Sequence, residues 1–154
     1  MQYKLLTPGP LTTTDTVKRE MMIDHCTWDD DYKSVTQKIR AGLLKLAHVS
    51  EEEYTSVLMQ GSGTFGVEAA ITTLVGEDDY LLILANGAYG ERMADIAHHA
   101  GISYHMRSWA IDEQPDAQTV KAILQENKSI THVAMVHSET TSGILNDVQS
   151  IGRV

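Results

Sequence analysis

Apolar residues recur along this chain with two distinct periods. Tyr32, Val35, Ile39, Leu43 and Leu46 are spaced three, four, four and three apart, the interval that lines one face of a helix. The acidic run Asp29-Asp30-Asp31 precedes that helix, and a shorter one is expected from about Asp15, a natural N-cap residue. Residues 1–14 read as an extended arm, because Pro8 and Pro10 flank Gly9 and three threonines follow. From residue 54 the pattern changes. Residues 54–60 predict a strand, and a glycine-rich stretch leads into a helix with Val67, Ala70, Ile71, Leu74 and Val75 on one face. Residues 80–85 predict a buried strand closed by an Asn86-Gly87 turn. Met93, Ile96, Ala97 and Ala100 stripe the next helix, with Gly101 where a C-cap glycine belongs. Residues 102–107 predict a strand, Pro115-Asp116 opens a helix carrying Val120, Ile123 and Leu124, and 130–136 predict another buried strand. Asp147 is placed to cap a helix with Val148 and Ile151 inward. The chain reaches Val154 inside that helix's second turn, which reads as a truncated chain.

Alternating strands and helices predict an α/β layer fold with a mostly parallel sheet. The expected organisation is an arm with helices over 1–50, then one α/β domain, begun but not finished, over 51–154. With 154 residues and 42% hydrophobic content, the chain can build one domain-sized core.

Charge and composition narrow the function. The net charge is −9 and the 12 basic residues are scattered, which argues against a nucleic-acid surface. The single cysteine, Cys26, fits a reducing compartment. Neither a signal-peptide core nor an apolar run of bilayer length is present, so a cytoplasmic protein without membrane or nucleic-acid partners is expected.

Gly61-Ser62-Gly63-Thr64-Phe65-Gly66 matches G-x-G-x-x-G between a predicted strand and a predicted helix, the fingerprint of dinucleotide binding. That fingerprint wants an acid about 20 residues on to hold a ribose, and Asn86 stands there instead. The hydroxyls of Ser62 and Thr64 suit a terminal phosphate better than a bridging pyrophosphate, and a helix N-terminus attracts either anion. Phosphate binding ranks first, a tight turn needing glycine second, a dinucleotide third. His137-Ser138-Glu139 fits the H-x-E of zinc deaminases, but no P-C-x-x-C follows. His98 and His99 are adjacent on a helix and cannot chelate together, and the Asp29 to Asp31 run reads as a cap, so no metal site is expected. The hydroxyl-rich stretch 137–143 follows a strand end, where open α/β sheets bind ligands. On spacing alone an oxyanion site and a simple turn are even.

Five blocks together resemble the class V pyridoxal-phosphate aminotransferases. They are Leu6-Thr7-Pro8-Gly9-Pro10, Cys26-Thr27-Trp28-Asp29-Asp30-Asp31-Tyr32, Gln60-Gly61-Ser62-Gly63-Thr64, Asn86-Gly87-Ala88-Tyr89-Gly90-Glu91-Arg92, and Met135-Val136-His137-Ser138-Glu139-Thr140-Thr141-Ser142-Gly143. The blocks around Trp28 and Glu139 resemble the branch that uses 2-aminoethylphosphonate, rather than the alanine–glyoxylate or serine–pyruvate branches. The resemblance implies the three-layer α/β fold of aspartate aminotransferase, with the large domain incomplete here, and pyridoxal 5'-phosphate as cofactor. It implies amino transfer to pyruvate giving phosphonoacetaldehyde and L-alanine, in a homodimer whose interface the arm approaches. It places Ser62, Gly63 and Thr64 on the cofactor phosphate, Tyr89 stacked on the pyridine ring, and Thr140 beside the ring's phenolic oxygen. No catalytic residue is expected within the chain, because the family's cofactor-binding lysine falls beyond Val154. Another class V aminotransferase, or an inactive phosphate-binding fragment, remain the alternatives.

Overall fold

The computed structural model describes residues 3–154, so Met1 and Gln2 of the expected arm lie outside the described residues. The chain forms two compact units that meet at Gln60 and Gly61.

The first unit holds two helices, α1 (Asp15–Glu20) and α2 (Asp30–Leu46). Thr14, not Asp15, caps α1: its hydroxyl accepts from the Val17 amide, while Asp15 occupies the first turn. Either residue satisfies an orphan amide, so the helix begins where the sequence predicts and its cap lies one residue earlier. The arm folds back across its prolines, with the Thr7 hydroxyl donating to Pro10 O (2.9 Å) and Leu5 N–H to Thr12 Oγ1 (2.6 Å). Residues 54–60 do not form the strand the sequence predicts. A strand exists only as a member of a hydrogen-bonded ladder, and no described segment pairs with this one. Arg40 tethers it instead, donating to Thr55 Oγ1 (2.6 Å) and Ser56 O (3.0 Å).

The second unit is built around β1 (Leu81–Ala85), five consecutive apolar residues that are all buried. A run buried on both faces needs neighbours on both edges and layers on both sides. β2 (Tyr104–Ser108) and β3 (His132–Met135) supply the edges, both parallel to β1, in the order β2-β1-β3. The observed β2 starts two residues later than predicted. The connecting helices supply the layers. α3 (Gly63–Leu74) and α4 (Ala88–His99) cover one face, where Ile71, Val75, Met93 and Ala97 meet Leu81 and Ile83. On the other face α5 (Ala117–Glu126) and α6 (Val148–Ile151) bring Val120, Ile123 and Ile151 to Leu82 and Leu84. Each fully buried Leu or Ile of β1 contributes roughly 1.5–3 kcal/mol relative to exposure. The result is the three-layer, mostly parallel α/β arrangement expected from the sequence. No helix of the described residues is long and apolar enough to cross a membrane.

Candidate functional site

The crossover from β1 through α4 leads to β2 on one edge, and the crossover from β2 through α5 runs back past β1 to β3. The two cover opposite faces, so the strand order reverses at β1. In open α/β sheets the carboxyl ends of the strands at such a reversal frame the ligand cleft. At the end of β1, Asn86 is buried, and Gly87 and Gly90 let α4 start directly against the strand. A Cβ on Gly90 would stand 2.7 Å from the Ala85 Cα. At the end of β3 the chain passes His137 into a two-stranded hairpin, β4 (Ser138–Glu139) and β5 (Ile144–Leu145). Gly143 closes its turn in the left-handed region, at φ +80°.

Two buried polar groups tie these ends together. Asn86 and Asn146 exchange amide hydrogen bonds of 2.9 and 3.0 Å. Asn86 Nδ2 also donates to Glu113 O, and Asn146 Nδ2 to Val136 O, both at 2.8 Å. The position a dinucleotide site would give to an acid is therefore spent on a closed amide pair. Glu139 is fully buried and accepts three bonds. They come from Tyr89 N–H at 3.2 Å, Thr141 N–H at 3.2 Å and the Thr141 hydroxyl at 2.6 Å.

The glycine-rich loop opens α3 in the same unit. Ser62 is its N-cap, with Oγ accepting from the Phe65 amide at 3.2 Å. Gly66 N–H returns to Ser62 O. The amides of Gly63 and Thr64 have no partner among the described residues, and the loop is largely exposed. Free amides at a helix N-terminus form an anion site. A cation stands beside it: Arg92 Nη1 donates to Thr64 Oγ1 at 3.1 Å, and the same guanidinium lies 4.8 Å from the centre of the Tyr89 ring. Thr64, Arg92, Tyr89, Glu139 and Thr141 thus form one chain of contacts, with Ser62 and Gly63 beside its first member. Thr140 sits in the exposed hairpin turn between Glu139 and Thr141 and makes no side-chain hydrogen bond among the described residues.

Arg92, Glu139, Thr141 and Asn146 are not among the individual cofactor-site residues expected from the sequence. Arg92 had a signal, since it lies one helical turn after Tyr89 on the same face. The signal for Glu139 was indirect: α4 begins at a glycine that cannot cap it.

Three carboxyl groups are held below the usual carboxylate range, each by hydrogen bonds to its charged form. The Gly76 amide and then the Thr131 hydroxyl do so for Asp79, the Thr119 amide for Asp116, and the Ser150 hydroxyl and amide for Asp147. Asp116 and Asp147 are N-caps of α5 and α6.

No family model matches the chain. It is 60% identical over 152 residues to a 2-aminoethylphosphonate–pyruvate transaminase of Lysinibacillus sphaericus, across 99% of this chain and 42% of the relative. A transaminase of the same name from Salmonella paratyphi B is 51% identical across 97% of this chain and 41% of its own length. The pyridoxamine–pyruvate aminotransferase of Mesorhizobium loti superposes with a TM-score of 0.85 at 27% identity, over 98% of this chain and 38% of that structure. The chain spans about two fifths of the length of the curated transaminases it matches. Sequence and fold agree that, along its whole length, this chain is similar to part of a 2-aminoethylphosphonate–pyruvate transaminase and has the fold of the class V pyridoxal-phosphate aminotransferases.

Proposed function

We propose that this chain is the amino-terminal part of a transaminase that moves the amino group of 2-aminoethylphosphonate to pyruvate, giving phosphonoacetaldehyde and L-alanine. The 60% identity over 152 residues to a transaminase of that name carries this reading. The geometry agrees with it. A terminal phosphate dianion needs several donors and positive potential. The amides of Gly63 and Thr64, the Thr64 hydroxyl and Arg92 provide both at the start of α3. The residues therefore fit the phosphate of pyridoxal 5'-phosphate.

In this reading Ser62 holds the first turn of α3 open toward that phosphate, and Gly63 lets the backbone approach it. Tyr89 lays its ring on the pyridine and so fixes the cofactor's plane, and Thr140 presents a hydroxyl beside the phenolic oxygen. Bound pyridoxal phosphate supplies the electron-withdrawing ring through which the carbon bearing the amino group can lose a proton. The lysine that holds the cofactor, and the carboxylate that faces the pyridine nitrogen, come from sequence outside residues 1–154. The full-length protein is a cytoplasmic homodimer in this reading, and the exposed apolar residues of α2 support a partner surface.

The test is amino transfer by the protein extended to the length of its relatives. Alanine should form from pyruvate with 2-aminoethylphosphonate as donor, and far more slowly with serine as donor or glyoxylate as acceptor. Equal rates on serine would move the protein to another branch. A failure to bind pyridoxal phosphate would leave a phosphate-binding fragment as the reading.

A further inference from the structure

A fully buried carboxylate beside the N-terminus of α4 needs its own explanation. No Lys, Arg or His pairs with Glu139 among the described residues. Burying a charge without a cation is costly unless hydrogen bonds replace the lost water. Glu139 finds that replacement at the N-terminus of α4. The N-cap there is Gly87, which has no side chain to offer the first amides of the helix. Glu139 Oε2 accepts from Tyr89 N–H instead, and Thr141 Oγ1 accepts from Ala88 N–H at 3.4 Å. The hairpin supplies from across the cleft what an N-cap side chain supplies locally. Glycine at 87 is the condition for this: a Cβ there would stand 2.5 Å from Glu139 Cδ and 2.6 Å from Thr141 Oγ1. The capping contact therefore joins the helix that carries Tyr89 and Arg92 to the turn that carries Thr140.

We propose that Glu139 is a positioning residue which, by capping α4 from the hairpin, sets the Tyr89 ring against the cofactor plane. The proposal rests on the cofactor reading above. It assigns Glu139 no contact with substrate or cofactor. Its effect runs through Tyr89, and that distinguishes it from a group that only stabilises the fold.

The experiment is a double-mutant cycle on the full-length protein. Pyridoxal phosphate affinity and the visible circular dichroism of the bound cofactor are measured for Glu139→Gln with Tyr89 present and with Tyr89→Leu. Glutamine keeps the shape but turns an amide N–H toward amides that need an acceptor. With Tyr89 present, Glu139→Gln should weaken cofactor binding about tenfold and change the dichroism amplitude. With Tyr89→Leu the further loss should be less than about twofold. Thr141→Ala, which removes one arm of the clamp, should show the same dependence with a smaller loss and serves where Glu139→Gln does not fold. Equal losses in both Tyr89 backgrounds, a lowered melting temperature with unchanged affinity and dichroism, or failure of both variants to fold would each overturn the proposal. Ser62→Ala separates it from the reading beneath it. If the unmodified protein binds no pyridoxal phosphate, or Ser62→Ala binds it equally well, the cofactor reading falls and the proposal with it. If Ser62→Ala weakens binding and the Tyr89 cycle is additive, the proposal falls alone.

Discussion

Single residues here act mostly by allowing or preventing close approach. Gly90 is the clearest case, because the atom its Cβ would meet is backbone, the Ala85 Cα at 2.7 Å, and backbone cannot swing aside. Gly90→Ala should destabilise the fold by about 1–3 kcal/mol, the usual cost of overpacking. In the full-length protein this is read as a lower melting temperature, and a change below about 1 °C would show that α4 can lift off the strand. Ser62 acts through a hydroxyl rather than its size. Ser62→Ala removes the Phe65 cap and, in the proposed reading, one group facing the phosphate. Cofactor affinity should fall by roughly 1–2 kcal/mol, the scale of one charge-assisted bond; titration of the full-length variant with pyridoxal phosphate measures it. The sequence made Ser62 visible because hydroxyls between glycines at a predicted helix start have few other uses. Glu139 was invisible for the opposite reason. The partner that ties it to α4, Tyr89, is 50 residues away, and the local motif, His137-Ser138-Glu139, suggested metal chemistry that no further cysteines support.

At the scale of elements, what the sequence reveals depends on whether an element carries its own determinants. Helix α5 does: Asp116 caps it, Val120 points inward, and both lie within one turn. Strand β1 does too, because five consecutive apolar residues have no stable place except a sheet covered on both faces. Residues 54–60 do not, since a strand is completed by its neighbour and no described residue provides one. Acid should expose the capping carboxylates. The folded-state values of Asp116 and Asp147 lie below the ordinary 3.8, so each binds its proton more readily in the unfolded chain. Stability from these caps is therefore present above about pH 4, and is lost as pH falls through the lowered folded values. Far-UV circular dichroism of the full-length protein should show helix loss on that acid side. Asn accepts the same cap bond without titrating, so Asp116→Asn and Asp147→Asn should leave neutral-pH helicity nearly unchanged and flatten the acid limb. An acid limb that these two changes do not alter would assign the loss to other carboxylates.

For the molecule as a whole, the decisive feature is apolar surface left open. The apolar stripe that predicted helix α2 is largely exposed in its own unit, with Val35 at 54%, Ile39 at 47% and Leu46 at 77% accessible, while Leu44 alone is buried on that helix. The edges of the three-stranded sheet are open as well, since among the described residues β2 and β3 each pair only with β1. Exposed stripes and unpaired edges promote association. Residues 1–154 expressed alone should therefore aggregate or require a partner. They should also fail to hold pyridoxal phosphate covalently. In the sheet unit the two lysines, Lys121 and Lys128, are exposed and belong to α5 and the loop after it. α5 covers the face opposite α4, and Lys128 lies shortly before β3 begins, at the amino edge of the sheet rather than the carboxyl edge that frames the cleft. Lys121 is thus on the face opposite α4, which carries Tyr89, and Lys128 at the opposite edge. The measurement is direct: incubate the purified chain with pyridoxal phosphate, pass it through gel filtration, and record the visible spectrum of the protein peak. No band should survive. A stable band that disappears when Lys121 and Lys128 are both changed to alanine would show that this half supplies a competent lysine, and the assignment of the catalytic lysine to sequence outside residues 1–154 would fail.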